Sequence, residues 1–265
     1  MQREDGRAAL RAYWEPYVAL AREDGVPFMV DTVTWRANPD WASQLGYGSQ
    51  VLRKANSAAA AFAIELATEF DEANVNGVVG PRGDGYVVGD VMTAEQAAEY
   101  HTPQIAALAE AGVDQVTALT FTYPQEAVGF AKAAKAVGVP AIVSFTVETD
   151  GRLPSGQTLG DAIEVVDDET NRSPVGFMVN CAHPTHFDDA LVDGDWLNRI
   201  TGIRANASTM SHAELDAAAE LDDGDPDDLA SRYRELLERL PALELLGGCC
   251  GTDHRHIRAI SATCH

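Results

Sequence analysis

Short apolar runs rich in β-branched residues recur along the chain: VPFMVDT (26–32), VNGVVGP (75–81), DQVTALTF (114–121), PAIVSFTV (140–147), PVGFMVN (174–180), ITGIRANAS (200–208) and ALELLGG (242–248). They are too short for buried helices, and they read as strands buried on both faces. Between them, apolar positions fall at helical spacing, as in 58–70, 93–112 and 231–240. The helix at 93–112 has a capping box, Thr93 with Gln96, and a stop at Gly112; a bend is expected at Pro103. Gly138 closes another helix just before the strand that starts at Pro140. Strand, helix, strand at this cadence predicts right-handed βαβ units and a buried parallel sheet.

The N-terminus changes the strand count. Leu10, Tyr13, Trp14, Tyr17, Val18 and Ala21 sit at helical spacing, with Pro16 expected to bend the helix they form. A helix ahead of the first visible strand implies a strand before it. Seven strands plus that one make a (β/α)8 TIM barrel, whereas seven alone would also suit an open doubly wound sheet. No G-x-G-x-x-G follows the first strand, and GPRGDG (80–85) is badly placed to serve as one. The expected fold is therefore an α/β barrel, a single domain over residues 1–265 with its first strand missing. The two edges so exposed invite pairing with a second copy of the chain.

Composition narrows the partners. The 265 residues are 46% hydrophobic, enough for a substantial core, and carry a formal net charge of −22 with three lysines. Phosphate binding needs clustered Lys and Arg, so nucleic acid is not an expected partner and small molecules are. No apolar run is long enough to span a membrane, and MQREDGRAAL lacks a signal peptide's apolar stretch, which points to a cytoplasmic protein. Four cysteines are too few for a disulfide scaffold in a chain this size, and in a reducing compartment thiols favour metal or catalytic roles.

In a barrel the chemistry gathers where strands end. Asp31, Thr34 and Trp35 follow the first visible strand; Asn180 and Cys181 end the fifth; Asn206 ends the sixth; Cys249 and Cys250 end the seventh. Three cysteines thus map to one rim. Zinc bound by three thiolates keeps a fourth tetrahedral position open, and a substrate thiol in that position arrives as a thiolate. Such an electron-rich site suits a sulfur nucleophile better than an activated water. Gly247, Gly248 and Gly251 are expected to supply the sharp turn that lets adjacent residues ligate one ion. Other readings of the same residues are a buried cysteine as apolar filler, a vicinal disulfide, and competition from His183 and His186 as ligands. Cys264 is taken as incidental.

The stretch GGCCGTDHRHIRAI (247–260) resembles the final-strand signature of the zinc-dependent homocysteine S-methyltransferase family, which includes the betaine- and S-methylmethionine-dependent enzymes. PVGFMVNCAHP (174–184), SFTVETDGRLPSGQTLGDAI (144–163), VNGVVGPRGDGY (75–86) and TWRAN (34–38) are similar to further family segments in the right order. The resemblance implies a (β/α)8 barrel with zinc on Cys181, Cys249 and Cys250. It implies methyl transfer from a sulfonium or quaternary ammonium donor to zinc-bound homocysteine, giving methionine. Trp35 and Phe121 are candidates to face a cationic donor.

Two departures mark a divergent member. The family's glutamate near the end of strand four, which contacts the acceptor's amino group, has no counterpart in residues 119–122; Glu126 lies in the next helix and Glu148 follows a different strand. The family's first strand, with its Asp-Gly-Gly-type segment, is also absent. The leading function is a zinc-dependent thiol methyltransferase. A degenerate binding protein and a zinc hydrolase are the alternatives, the all-cysteine ligand set counting against the hydrolase.

Overall fold

The computed structural model describes residues 3–69 and 73–265, and the predicted helix end at residue 70 lies outside them. The chain opens on α1 (Glu4–Asp24), which runs through Pro16 and ends at Gly25 in the left-handed conformation that glycine reaches freely. There follow β1 (Phe28–Asp31), α2 (Pro39–Gln44), α3 (Ser49–Ala67), β2 (Ala73–Val79) and α4 (Ala94–Ala111). Next come β3 (Gln115–Phe121), α5 (Pro124–Val137), β4 (Ala141–Phe145), α6 (Leu159–Thr170) and β5 (Gly176–Asn180). The chain closes with α7 (Pro184–Phe187), β6 (Ile200–Ala205), α8 (His212–Ala217), α9 (Pro226–Arg239), β7 (Leu245–Gly248) and α10 (His254–Cys264). The Thr93–Gln96 capping box and the Gly112 stop are both formed at α4.

All strand pairs are parallel, and the spatial order β1 to β7 follows the chain order without a reversal. A doubly wound sheet reverses direction at its switch point. This sheet winds one way and curls, as a barrel does. The curl is deep enough for Arg204 of β6 to form an ion pair with Asp31 of β1, past the intervening edge strand β7. Outside the sheet α1 bridges the two edges. Its Arg7 and Arg11 pair with Glu65 and Glu69, while Arg258 of α10 meets Glu23 at 3.1 Å and Ser261 donates to Asp24 at 2.5 Å. The helix ring thus closes around a seven-stranded parallel sheet of TIM-barrel type. Among the described residues no helix is long and apolar enough to cross a membrane.

Apolar strand residues such as Phe145 and Phe177 pack against the helices, whose Leu66, Ile105, Leu108, Phe130 and Tyr233 are buried in the same layer. The opposite face of the sheet carries a polar ladder. Thr117 donates to Asn76 at 2.7 Å, Asn76 donates to Asp31 at 2.8 Å, and Asp31 pairs with Arg204. Asp31 retains only 15% of its side-chain exposure, so removing its partner strands a largely desolvated carboxylate. Arg204→Met is expected to cost about 3 kcal/mol in urea unfolding. The double variant with Asp31→Asn should recover part of that loss; simple additivity would show that the pair does not hold the curl.

Candidate functional site

The rim is built at the ends of β5, β6 and β7. Cys181 follows β5 with φ 55°, a left-handed conformation that costs a non-glycine residue about 1–3 kcal/mol and must be held by its surroundings. It is held on both sides. Its amide donates to the Arg204 carbonyl at 3.1 Å, while its own carbonyl accepts from His212 Nε2 (2.6 Å), Asn206 Nδ2 (3.1 Å) and Thr146 Oγ1 (3.4 Å). Asn180 ties β5 to β3: its Oδ1 accepts from the Thr120 amide (2.9 Å) and Ser144 Oγ (2.6 Å), and its Nδ2 donates to Thr120 Oγ1 at 2.8 Å. That clamp keeps β-branched Thr120 at φ 66°, where the β3–β4 register shifts.

Cys249 and Cys250 follow β7, two strands along the same rim. The Cys249 amide donates to Ala205 O at 2.8 Å, and the Cys250 amide donates to Asn206 Oδ1 at 3.1 Å. Asn206, 1% exposed, therefore holds Cys181 with its amide nitrogen and Cys250 with its amide oxygen. The turn expected from three glycines is made at one. Gly251 has φ 79°, and a Cβ there would lie 2.6 Å from the Asp222 carbonyl. Gly247 and Gly248 belong to β7 and are kept small by the Arg204 and Thr252 side chains.

The three sulfurs lie within 4.8 Å of one another. Cys181 and Cys250 are 3.8 Å apart, and Cys181 is joined to Cys249 as a disulfide. A divalent ion needs both as thiolates, so loading requires a thiol reductant to return two electrons to that pair. The donor set fits zinc: three soft sulfurs gathered on one rim, with the Cys181–Cys250 separation of 3.8 Å of the order that a tetrahedral ion at ~2.3 Å from sulfur sets. The vicinal alternative, Cys249 to Cys250, is not the pair formed. His183 and His186 turn elsewhere, to Thr185 and to the Thr209 carbonyl, and burial pulls His183 down to about 4. Cys264 packs at the edge of the core, where burial pushes its thiol up.

The remaining candidates are distributed as follows. Asp31 is engaged by Arg204 and Asn76; Thr34 is buried and donates to the Val78 carbonyl at 2.6 Å. Trp35 donates from Nε1 to the Leu119 carbonyl at 3.0 Å, and the Arg36 guanidinium lies 5.1 Å from its ring centroid. Phe121 is fully buried against His101 and Phe130 on the helix side of β3. Glu126 is buried too, accepting from the Arg82 amide at 2.7 Å with His101 Nε2 at 3.0 Å. Glu148 stands at the cysteine rim, 37% exposed, with Oε1 3.3 Å from His212 Nδ1.

Tyr86 and His212 belong to the site and escaped the sequence analysis. The Tyr86 hydroxyl is 3.5 Å from Cys181 Sγ and 3.6 Å from Cys250 Sγ, and its ring lies 4.3 Å from that of His212. Burial, with Cys250 second, raises the phenol above its usual range, so it is a neutral O–H donor toward sulfur. Its placement after the glycines of GPRGDGY, at the end of β2, was the available signal. For His212 there was none.

Known proteins resemble this chain in sequence and in fold. The chain matches the homocysteine S-methyltransferase family over residues 8–264. Homocysteine S-methyltransferase 4 of Zea mays is 28% identical over 180 residues, 65% of this chain and 51% of its own length. Selenocysteine Se-methyltransferase of Brassica oleracea var. italica is 24% identical over 180 residues, 66% of this chain and 50% of its own. The chain spans about half the length of the curated relatives it matches. Among solved structures, the homocysteine methyltransferase MmuM of Escherichia coli is similar in its metallated form with TM-score 0.71, at 20% identity over 93% of this chain and 83% of that one. Its oxidised form gives TM-score 0.74 at 19% identity, over 99% of this chain and 89% of that one. At such identity the structural likeness speaks for the fold, and the family rests on the sequence match across nearly every element described above. The chain belongs to the homocysteine S-methyltransferase family.

Proposed function

We propose that the protein is a zinc-dependent methyltransferase that moves a methyl group from a sulfonium or quaternary ammonium donor to a thiol, with homocysteine as the acceptor and methionine as the product. The observation that carries this reading is the convergence of Cys181, Cys249 and Cys250 on one rim of the barrel. Zinc held there supplies an acceptor sulfur already stripped of its proton, so no strong general base is required. The chain's own residues then have a positioning task. Asn206, His212 and Thr146 fix the Cys181 backbone, and Asn206 fixes Cys250 relative to it.

Glu148 is the carboxylate best placed to meet the ammonium group of an amino-acid acceptor. It reaches the rim through His212, whereas Glu126 is sealed beneath the loop after β2. A charge-assisted hydrogen bond of this kind contributes about 1.5–3 kcal/mol. The test uses reduced, zinc-loaded protein with S-methylmethionine, S-adenosylmethionine or betaine as donor, and homocysteine or its deamino analogue as acceptor. Product thioether is read by mass spectrometry. Homocysteine is expected to be preferred over the deamino analogue by roughly 10–100-fold in kcat/KM, and Glu148→Gln to erase that preference. No thioether from any pair, or turnover undiminished by chelation, would overturn the reading.

A further inference from the structure

We infer that the cavity between the start of α6 and the segment 188–196 is a binding site for a free α-amino acid, which it holds by the carboxylate and the ammonium group at once. The cavity measures about 390 Å³, at the small end of the range for small-molecule sites, and none of its lining residues belongs to the cysteine rim.

The head of α6 supplies the first donors. Its N-cap Thr158 accepts from the Asp161 amide at 3.1 Å, which leaves the amides of Leu159 and Gly160 without an acceptor among the described residues. Free N–H groups at the start of a twelve-residue helix favour an anionic oxygen. Trp196 points the same way independently. It is 8% exposed, yet its Nε1–H donates to no group among the described residues. Gly160 and Gly194 bracket that N–H: a Cβ on the first would lie 3.0 Å from Nε1, and on the second 2.6 Å. With no side chain at either position, the N–H stays open to the cavity that Trp196 and Gly160 both line. A buried indole N–H ordinarily has an acceptor, and here a ligand supplies it.

The charges at the opening complete the pattern. Arg152 donates from Nη1 to the Gly156 carbonyl at 3.1 Å, and Asp150 turns back on its own loop to accept from the Arg152 amide. Arg152, Asp161 and Glu164 all line the cavity, and none of them forms an ion pair among the described residues. Unpaired charges of both signs around one opening suit a zwitterion. Asp161 and Glu164 would repel a bare anion, and a bare cation would leave the amides and the indole unanswered. The ligand's carboxylate therefore takes the α6 amides, the indole N–H and Arg152, while its ammonium group takes Asp161 or Glu164. Ala190 and the exposed Val192 offer an apolar wall to its side chain.

The experiment follows the indole N–H resonances of the 15N-labelled protein. The chain has four tryptophans, and Trp196→Phe identifies one cross-peak; should that variant fail to fold, single replacements of Trp14, Trp35 and Trp41 identify it by elimination. The probe is L-norleucine, which has no sulfur to engage the cysteine cluster. Its methyl ester, hexanoate and acetate are the comparisons. The Trp196 cross-peak is expected to shift saturably with L-norleucine, and to respond about tenfold or more weakly to each comparison, since each lacks one of the two charged groups. The double variant Asp161→Asn, Glu164→Gln changes two exposed side chains; it should weaken L-norleucine by a similar factor and leave hexanoate no weaker. A Trp196 cross-peak that stays in place at millimolar L-norleucine would overturn the site. Equal responses to L-norleucine and hexanoate, or to acetate alone, would overturn its amino-acid character. Both failures would leave the methyl-transfer reading untouched, because the probe and its readout make no use of the cysteine cluster.

Discussion

Replacing Cys250 by alanine is expected to strip the protein of zinc and of methyl transfer together. Cys250 is the exposed member of the cluster and takes no part in the Cys181–Cys249 disulfide, so its loss leaves the fold's covalent geometry untouched. What it removes is a thiolate. Two sulfurs and solvent cannot hold zinc as three do, and the loss of affinity should exceed the roughly 10–100-fold that removal of a supporting residue costs. Zinc content after dialysis against a weak chelator, and thioether formation, are the paired readouts. Cys264→Ala is the control: that thiol packs against the core away from the cluster, and both readouts should stay at the wild-type level. Turnover persisting in a zinc-free Cys250→Ala protein would sink the proposed mechanism.

Asn206→Ala should produce the next largest effect without touching a ligand. One buried amide holds the two lobes of the cluster, donating to the Cys181 carbonyl and accepting from the Cys250 amide. Truncation leaves the Cys250 amide without that acceptor and takes one of three donors from the Cys181 carbonyl, at a cost of about 1–3 kcal/mol for the stranded group. The larger consequence is at the metal. With their spacing no longer fixed, the sulfurs should bind zinc about 10–100-fold more weakly, measured by competition with a chromophoric chelator under reducing conditions. Asn206→Asp keeps the acceptor and loses the donor, so it should fall between. A variant with unchanged zinc affinity and reduced stability would reduce Asn206 to a packing role.

The strands were legible because a parallel sheet covered on both faces writes itself as apolar runs, and all seven runs became strands. The α4 boundaries were equally legible, since Thr93, Gln96 and Gly112 satisfy the helix ends locally. The short helices α2, α7 and α8 went unseen; four to six residues hold too few turns to show a periodicity. At the site, the cysteines could be read from their places after apolar strands. Tyr86 and His212 could not. They meet Cys181 from 95 and 31 residues away, through loops whose path no local pattern encodes.

The sequence by itself determined the strand and helix cadence, the barrel class and the three sulfurs, because burial periodicity, capping chemistry and ligand type are local properties of residues. The tertiary structure alone decided the rest. It assigned Asp31 to Arg204 across 173 residues, turned Cys181 and Thr120 into conformations their own side chains disfavour, and set Tyr86 over the cluster. Each of these is a contact between groups distant in the chain, stable only once the curled sheet brings them together and excludes the water that would otherwise satisfy them.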